Sequence, residues 1–341
     1  MRKAIIDLSD RRGKSGRHPG LLLQRYLCEN ATGDGGNPEE KRAIMLAAIN
    51  AAIHQDVQDL YRCAFDRWKA SLPSEPAPIE LATQGRLIVG LGSENVLETG
   101  IRLHHTYGMP IIPGSALKGL AAHYCDQAWG PSDEKFRKSG LYHQLLFGKT
   151  DDSGCIVFHD SWYVPGSEEE PLKLDVMTPH HSGWNKVENP EPPTDFDSPI
   201  PVPFLSVAGR FLISVSWHGP EHKEAIAWTN LAMDILRNAL FDWGVGGKTS
   251  SGYGRLQSPP PPPPPAPFNG KSGESVDAVL LNEKTKKGLW RAQIQGHSQI
   301  GEIQNSNLIP IDAKAGDVVK LNLAYINVDK VSFKWPIPAK K

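Results

Sequence analysis

The sequence predicts an α+β body followed by a small all-β domain. Three observations carry this prediction. Extended apolar segments and amphipathic helices are interleaved over the first three quarters of the chain. Seven consecutive prolines at 259–265 then form a stiff polyproline spacer. Several short segments of alternating polarity follow the spacer. The predicted boundaries are 1–257 for the body, 258–275 for the linker and 276–341 for the β domain.

Three helices are predicted in the body. The first begins at Asn37, a good N-cap before Pro38, and keeps helical spacing to about Ala70, where prolines stop it. The second follows Pro113 with Ser115 as its cap, and the third spans 224–242.

Extended segments are predicted around these helices. Strands are expected at 87–89, 155–158 and 211–215, with a further extended piece at 100–105. A β, α, β, β, α order suits a ferredoxin-like unit, which is the topology of RNA recognition motifs. Residues 165–202 are rich in proline, acids and histidine, so they are predicted to leave the body as a long excursion.

The region after the prolines predicts a small barrel of the OB or SH3-like type. Trp290, Ala292 and Ile294 alternate with polar neighbours, and two further apolar alternations follow. The aromatic side chains are predicted mainly as core, although stacking on single-stranded bases stays open. These residues are Trp290, Tyr325, Phe333 and Trp335. The basic residues that keep RNA contact open are Lys284, Lys286, Lys287 and Arg291.

Composition limits the classes of function. Lys+Arg number 37 and Asp+Glu 38, for a net charge of -1, which argues against binding of nucleic acid through bulk charge. Any RNA contact must come from local patches or from a groove built with a partner. Residues 1–25 are locally basic, which makes Arg11 and Arg12 candidate RNA contacts, or else part of a solvated tail.

Four cysteines without C-x-x-C spacing argue against a zinc knuckle, and no metal or other cofactor is predicted. The sequence shows no membrane-spanning run and no apolar leader region, so a cytoplasmic protein without membrane contact is expected.

A glycine-rich loop at 244–254 is the strongest motif. Its Gly247-Lys248-Thr249 mimics a phosphate-binding Walker A loop, but Asp242 stands where that motif needs glycine, and the loop closes a helix instead of opening one. An ATPase is therefore disfavoured. Backbone amides and hydroxyls of such a loop can hold a nucleic-acid phosphate, although a helix C-cap is the simpler alternative. The candidate residues are Gly246, Gly247, Lys248, Thr249, Ser250, Gly252 and Tyr253.

A second motif precedes the second helix. Prolines and Gly114 lead into a helix start with Ser115 and Lys118 in its first turn, which predicts an anion site. An ordinary loop-to-helix junction is the alternative.

Taken together, Ile112-Pro113-Gly114-Ser115-Ala116-Leu117-Lys118-Gly119 and the glycine loop resemble the paired hallmarks of the RAMP superfamily. Segments at 18–23, 91–108 and 175–181 are similar to those of the sixth RAMP subunit family of type III-B (Cmr) CRISPR effector complexes. The resemblance covers about residues 17–256 and leaves the β domain outside it.

This resemblance implies a non-catalytic RNA-binding subunit in antiviral defence. It implies contact with the CRISPR guide RNA near its 3′ end and with target RNA, beside other RAMP backbone and small subunits whose filament it would cap. A thumb-like protrusion is implied as well; the excursion at 165–202, with His180 and His181, is one candidate for it, and the basic N-terminal segment is the other.

Two alternatives stay open. His104-His105 or His180-His181 could supply an acid and a base for metal-independent RNA cleavage, with at most one histidine of each pair at a given site if the pair lies in a strand. A pure protein scaffold would instead use the glycine loop for subunit docking.

Overall fold

The structure, a computed structural model, divides into two compact units, Met1–Pro259 and Pro260–Lys341. Arg11, Arg12 and most of the proline run lie outside the residues that it describes. The described residues are 18–25, 38–181, 183–184, 189–199, 201–259, 268, 270–286, 288–310, 313–327 and 330–336.

The first unit mixes helices and short strands. Its α-helices are α1 (Pro19–Arg25), α2 (Pro38–Ala52), α3 (Gln55–Ser71), α4 (Gly114–Tyr124), α5 (Leu141–Phe147) and α6 (Ala225–Asp242). Its strands are β1 (Ile79–Thr83), β2 (Ile111–Ile112), β3 (Gly148–Lys149), β4 (Asp152–Ser153), β5 (Ile156–Phe158), β6 (Ser161–Tyr163), β7 (Leu172–Met177), β8 (Val202–Val207), β9 (Arg210–Ile213), β10 (Val215–Trp217) and β11 (Leu256–Gln257).

The central sheet confirms the ferredoxin-like prediction. Its strand order is β11-β1-β9-β6-β2, and neighbouring strands are antiparallel. Along the chain β1, α4, β6, β9, α6 and β11 follow one another, which gives a βαββαβ unit with strand order 4-1-3-2. The short strand β2 extends this sheet at the edge beside β6.

The predicted excursion has an ordered base. Strands β7 and β8 pair antiparallel from Leu172 opposite Val207 to Met177 opposite Val202. A bridge from Leu87 to Val207 ties this hairpin to the body, and Leu172 and Phe204 are fully buried. The hairpin base is therefore part of the core, whereas the described residues of the connection between its strands are mostly exposed.

Two sequence predictions about elements were wrong. The first helix is two helices, because the chain breaks after Ala52 and the His54 ring restarts it by accepting from the Asp56 amide at 3.3 Å. The segment 87–89 is not a strand: its carbonyls accept from Arg102 and Gly247, so a single bridge is all it contributes to a ladder. The piece at 100–105 was predicted only as extended, and it contributes one bridge, between Leu103 and Pro110.

Helix α3 is packed against the sheet through an aromatic cluster. The Trp162 ring stacks on Trp68 at 4.8 Å and on Tyr61 at 6.0 Å between ring centroids. The buried Tyr61 hydroxyl donates to the Tyr163 carbonyl at 2.7 Å. This arrangement holds α3 over the β6 edge of the sheet, next to the His104 loop.

The second unit is a closed five-stranded barrel, which confirms the predicted β domain. Its order β12-β13-β14-β16-β15, with β14 and β16 parallel, is the OB arrangement and not the SH3-like one. Phe333 is fully buried as predicted, whereas a register shift after Leu323 turns Tyr325 outward. The strands are β12 (Ser275–Lys284), β13 (Trp290–Ile294), β14 (Ile300–Ile303), β15 (Val318–Asn327) and β16 (Lys330–Lys334).

Within the described residues, no helix has both the length and the apolar composition needed to cross a membrane.

Candidate nucleic-acid interface

The glycine loop is fastened to the segment that follows β1. The Gly247 amide donates to the Ile88 carbonyl at 2.7 Å, and the Gly254 amide donates to the Arg86 carbonyl at 2.8 Å. Gly246 has a φ of 90°, and a Cβ there would lie 2.1 Å from the Ile88 oxygen, so this position requires glycine. The loop path is thus fixed by main-chain contacts at both of its ends.

Between these fixed ends the loop is open. Lys248 has a left-handed backbone (φ 57°) and leads into a single 3-10 turn, Thr249–Ser251. The consecutive amides of Lys248, Thr249 and Ser250 donate to no acceptor within the described part of the chain. The Lys248 ammonium likewise has no carboxylate partner among those residues. A run of amides without acceptors beside a cation, known as a backbone nest, can bind an anion.

The C-cap alternative accounts for one glycine only. The Gly244 amide donates to the Ala239 carbonyl at 3.1 Å and closes α6. The C-cap does not explain Gly246 and Gly247. Both contact the Ile88 carbonyl, and they attach the loop to the segment after β1.

Tyr253 anchors the loop and does not present a free ring. Its hydroxyl donates to Asp175 Oδ2 at 2.6 Å, and Arg86 Nη1 binds the same oxygen at 3.0 Å. Its ring packs near Phe204, with centroids 6.1 Å apart. Burial, with a further contribution from Asp175, raises the pKa of Tyr253 to about 12. Sequence reasoning missed Arg86, because a single arginine in a loop has no pattern around it.

The helix start differs from its prediction. Helix α4 begins at Gly114 with Pro113 as its N-cap, so Ser115 lies in the first turn and is not the cap. Because Pro113 has no side-chain acceptor, the Asp160 carboxylate fills that role by accepting from the Gly114 amide at 2.7 Å. The Gly114 amide is therefore occupied, while Ser115 is exposed and Lys118 half-buried.

The two motifs lie apart in the fold. The glycine loop leads into β11 and the helix start follows β2, and these strands form opposite edges of the sheet. The Tyr124 hydroxyl, at the far end of α4, bonds Asp242 at the loop end of α6. The helix start thus lies at the other end of α4 from the glycine loop. The segment 86–105 connects them, since it holds the loop at Ile88 and approaches the helix start through the Leu103–Pro110 bridge.

His104 and His105 lie in a loop, not in a strand. His104 Nδ1 accepts from the Thr106 amide at 3.2 Å, and its ring lies 4.5 Å from Trp162. Burial lowers the pKa of His104, and Asp160 partly offsets this effect. His105 is exposed. The pair therefore differs in environment, with one packed ring and one free ring.

His180 and His181 also lie outside strand structure. His181 Nδ1 pairs with Asp197 Oδ2 at 2.7 Å, whereas His180 is exposed. The hydrogen bond from His181 lowers the pKa of Asp197, with support from Thr194. This contact joins the start and the end of the connection between β7 and β8.

Among the described residues no three His, Cys, Asp or Glu side chains are grouped to hold a metal ion.

Three comparisons relate this chain to known proteins. A family model described as the RAMP superfamily matches residues 80–257. The "CRISPR system Cmr subunit Cmr6" of Pyrococcus furiosus is 33% identical over 261 residues, with 60% of this chain and 74% of the relative covered. The Cmr6 subunit of Saccharolobus solfataricus is 24% identical over 257 residues, with 72% and 82% covered. A crystal structure of Cmr6 from Pyrococcus furiosus matches with a TM-score of 0.35 and 29% identity, over 53% of this chain and 97% of that one.

Proposed function

This chain belongs to the RAMP superfamily, and from that premise we propose that it is a non-catalytic RNA-binding subunit of a type III-B CRISPR effector complex. In this proposal it contacts the guide RNA near its 3′ end and the target RNA, caps a filament of RAMP backbone subunits beside the small subunits, and acts in the cytoplasm. The names of the two Cmr6 relatives support the assignment to such a complex.

The observation that carries the RNA-binding proposal is the open nest of the glycine loop. Three consecutive amides, at Lys248, Thr249 and Ser250, have no acceptor in the described part of the chain. The same turn carries the hydroxyls of Thr249, Ser250 and Ser251 and the Lys248 ammonium. Phosphate oxygens accept bonds from this set of donors, and a loop fixed through the Gly247 and Gly254 amides loses little entropy on binding.

A second phosphate contact is proposed at the helix start. Because Asp160 occupies the Gly114 amide, this contact would depend on the Ser115 hydroxyl and the Lys118 ammonium. Because the two motifs are separated, they are expected to contact different phosphates of one RNA strand.

The geometry of His104 and His181 supports a non-catalytic role over an endoribonuclease, while the exposed His105 and His180 do not bear on the choice. A general base needs an unprotonated ring nitrogen that faces the substrate. In His104 the backbone amide of Thr106 already uses Nδ1, so the neutral ring carries its proton on Nε2 and is a donor there. In His181 the Nδ1 atom is engaged with Asp197.

The experiment is RNA binding by the full chain with Lys248→Ala and Lys118→Ala combined, measured by fluorescence anisotropy over a salt series. We expect about tenfold weaker binding, and a smaller salt dependence because each lost phosphate contact reduces the slope by about 0.7 for a single strand. Lys223→Ala, at the opposite end of α6, is the matched control and should change neither quantity. Unchanged binding by the double variant would contradict the assignment.

A further inference from the structure

A cavity of about 490 Å³ lies in the body beside the helix start. Its lining includes His18, Arg102, His104, His105 and Asp160. The volume is within the range of roughly 300–1,000 Å³ that is typical of small-ligand sites. The same segment, 86–105, lines this cavity and bonds the glycine loop at Ile88, so the segment links the cavity to that loop.

Two of the histidines that line this cavity have the same ring nitrogen occupied. His18 Nδ1 accepts from the Leu21 amide at 3.1 Å, where it caps α1, and His104 Nδ1 accepts from the Thr106 amide. Each neutral ring therefore carries its proton on Nε2. His18 Nε2 is buried, and no described residue bonds it. A buried donor without a partner at the wall of a cavity indicates a missing acceptor.

The other lining residues define that acceptor further. Arg102 is exposed, and it has no ion pair with a carboxylate in the described ranges. Asp160 and Glu94 add carboxylate acceptors. Two carboxylates would repel a free phosphate, but a nucleotide combines a phosphate for the donors with ribose hydroxyls for the acceptors. The exposed His105 ring can stack on a base.

We propose that this cavity binds one nucleotide of a single-stranded RNA segment, with the phosphate held by Arg102 and the Nε2–H groups of His18 and His104. The ribose hydroxyls face Asp160 and Glu94, and the site holds RNA without cleaving it. This inference rests on the proposed function, because it places a further segment of the same RNA beside the helix start.

The test is photo-crosslinking of the full chain to RNA that carries 4-thiouridine, in one arm on a guide strand and in the other on its target strand. Mass spectrometry then identifies the attached peptide. We expect a crosslink at 101–105 or 18–24 in one arm, which identifies the strand. Arg102→Gln and His18→Leu should each reduce its yield about tenfold. Arg237→Gln and His218→Leu, both exposed and outside the cavity lining, are the controls.

The outcomes separate the two proposals. If RNA binds with the dependence on Lys248 but gives no crosslink to the cavity in either arm, the cavity inference is wrong and the proposed function stands. If the full chain binds no RNA, both are wrong. A strand of DNA with the same sequence should crosslink less, since it lacks the 2′-hydroxyl; equal yield would contradict the role of the carboxylates. If the RNA is cleaved and the cleavage depends on His104, the site is catalytic and the inference is wrong.

Discussion

The Tyr253 hydroxyl and the Asp175 carboxylate form a 2.6 Å hydrogen bond between the glycine loop and strand β7. Arg86 binds the same carboxylate oxygen and also reaches the Leu174 carbonyl at 3.3 Å. The loop, the hairpin and the segment after β1 therefore share one polar junction. A change in the hairpin can alter the open amides at Lys248 through this junction without touching them.

Loss of the Tyr253 hydroxyl should weaken both stability and RNA binding. Tyr253→Phe leaves the ring against Phe204 and removes only the bond to Asp175, so we expect the free energy of unfolding to fall by about 0.5–1.5 kcal/mol. RNA affinity should fall several-fold because the loop is less restrained. Urea unfolding and anisotropy measure the two effects. Tyr325→Phe, exposed on the barrel, is the control; an equal effect of both variants would contradict the junction.

A methyl group at Gly246 should displace the glycine loop. Gly246 combines a φ of 90° with the close approach to the Ile88 oxygen, so Gly246→Ala should cost about 2 kcal/mol or more. Gly252 has a similar φ of 87° but open space around its Cβ position, so Gly252→Ala should cost only about 1 kcal/mol. Chemical denaturation of the two variants isolates the effect of the carbonyl contact. Equal costs would show that backbone strain alone governs the loop.

The ferredoxin-like order was predictable because buried strands such as 211–213 and the long helix α6 carry strong local patterns. Two-residue strands carry no such pattern: β2 and β11 become strands only because β6 and β1 lie beside them. The opposite error occurred at Leu87, where an apolar run binds a loop and not a sheet.

The candidate site was predictable at the level of motifs and not at the level of contacts. The glycine loop was visible because glycines at such density are unusual, yet its anchor depends on Arg86 and Asp175, which are 89 residues apart. The assignment of Ser115 as a cap failed for a similar reason. The Asp160 carboxylate accepts from the helix start instead. It lies between β5 and β6, and no local sequence pattern predicts that contact.

The stability of the body should fall in mild acid. Burial lowers the pKa of His104, His143 and His159 below the ordinary value of 6.5. Between the lowered pKa and 6.5 the unfolded chain binds more protons than the folded one, so stability decreases as the pH falls through this window and levels off below it. Urea unfolding at about pH 7.5 and about pH 5 measures the loss.

His143 offers the matched test of this pH effect. His143 is buried, and its Nε2 lies 3.2 Å from the Ala122 carbonyl. In His143→Gln the amide can keep that bond without titrating, so the acid-induced loss should become smaller. His218→Gln changes an exposed ring and should leave the loss as in the wild type. A wild-type chain that is equally stable at both pH values would contradict the assignment.

The barrel closes at a glycine, Gly301, where β14 pairs with β16. Strands β14 and β16 run parallel, and a Cβ on Gly301 would lie 1.9 Å from the Val331 carbonyl oxygen. Gly301→Ala must push β16 away and uncover Phe333, so we expect a loss of about 2–4 kcal/mol in the unfolding of the second unit. Gly119→Ala is the control, because Gly119 lies in helix α4 with open space, where alanine should stabilise by up to about 1 kcal/mol. Hydrogen exchange of the β14 and β16 amides in the full chain measures the stability of the barrel alone. Unchanged protection of these amides would contradict the prediction, because the strands could then separate slightly without opening the core.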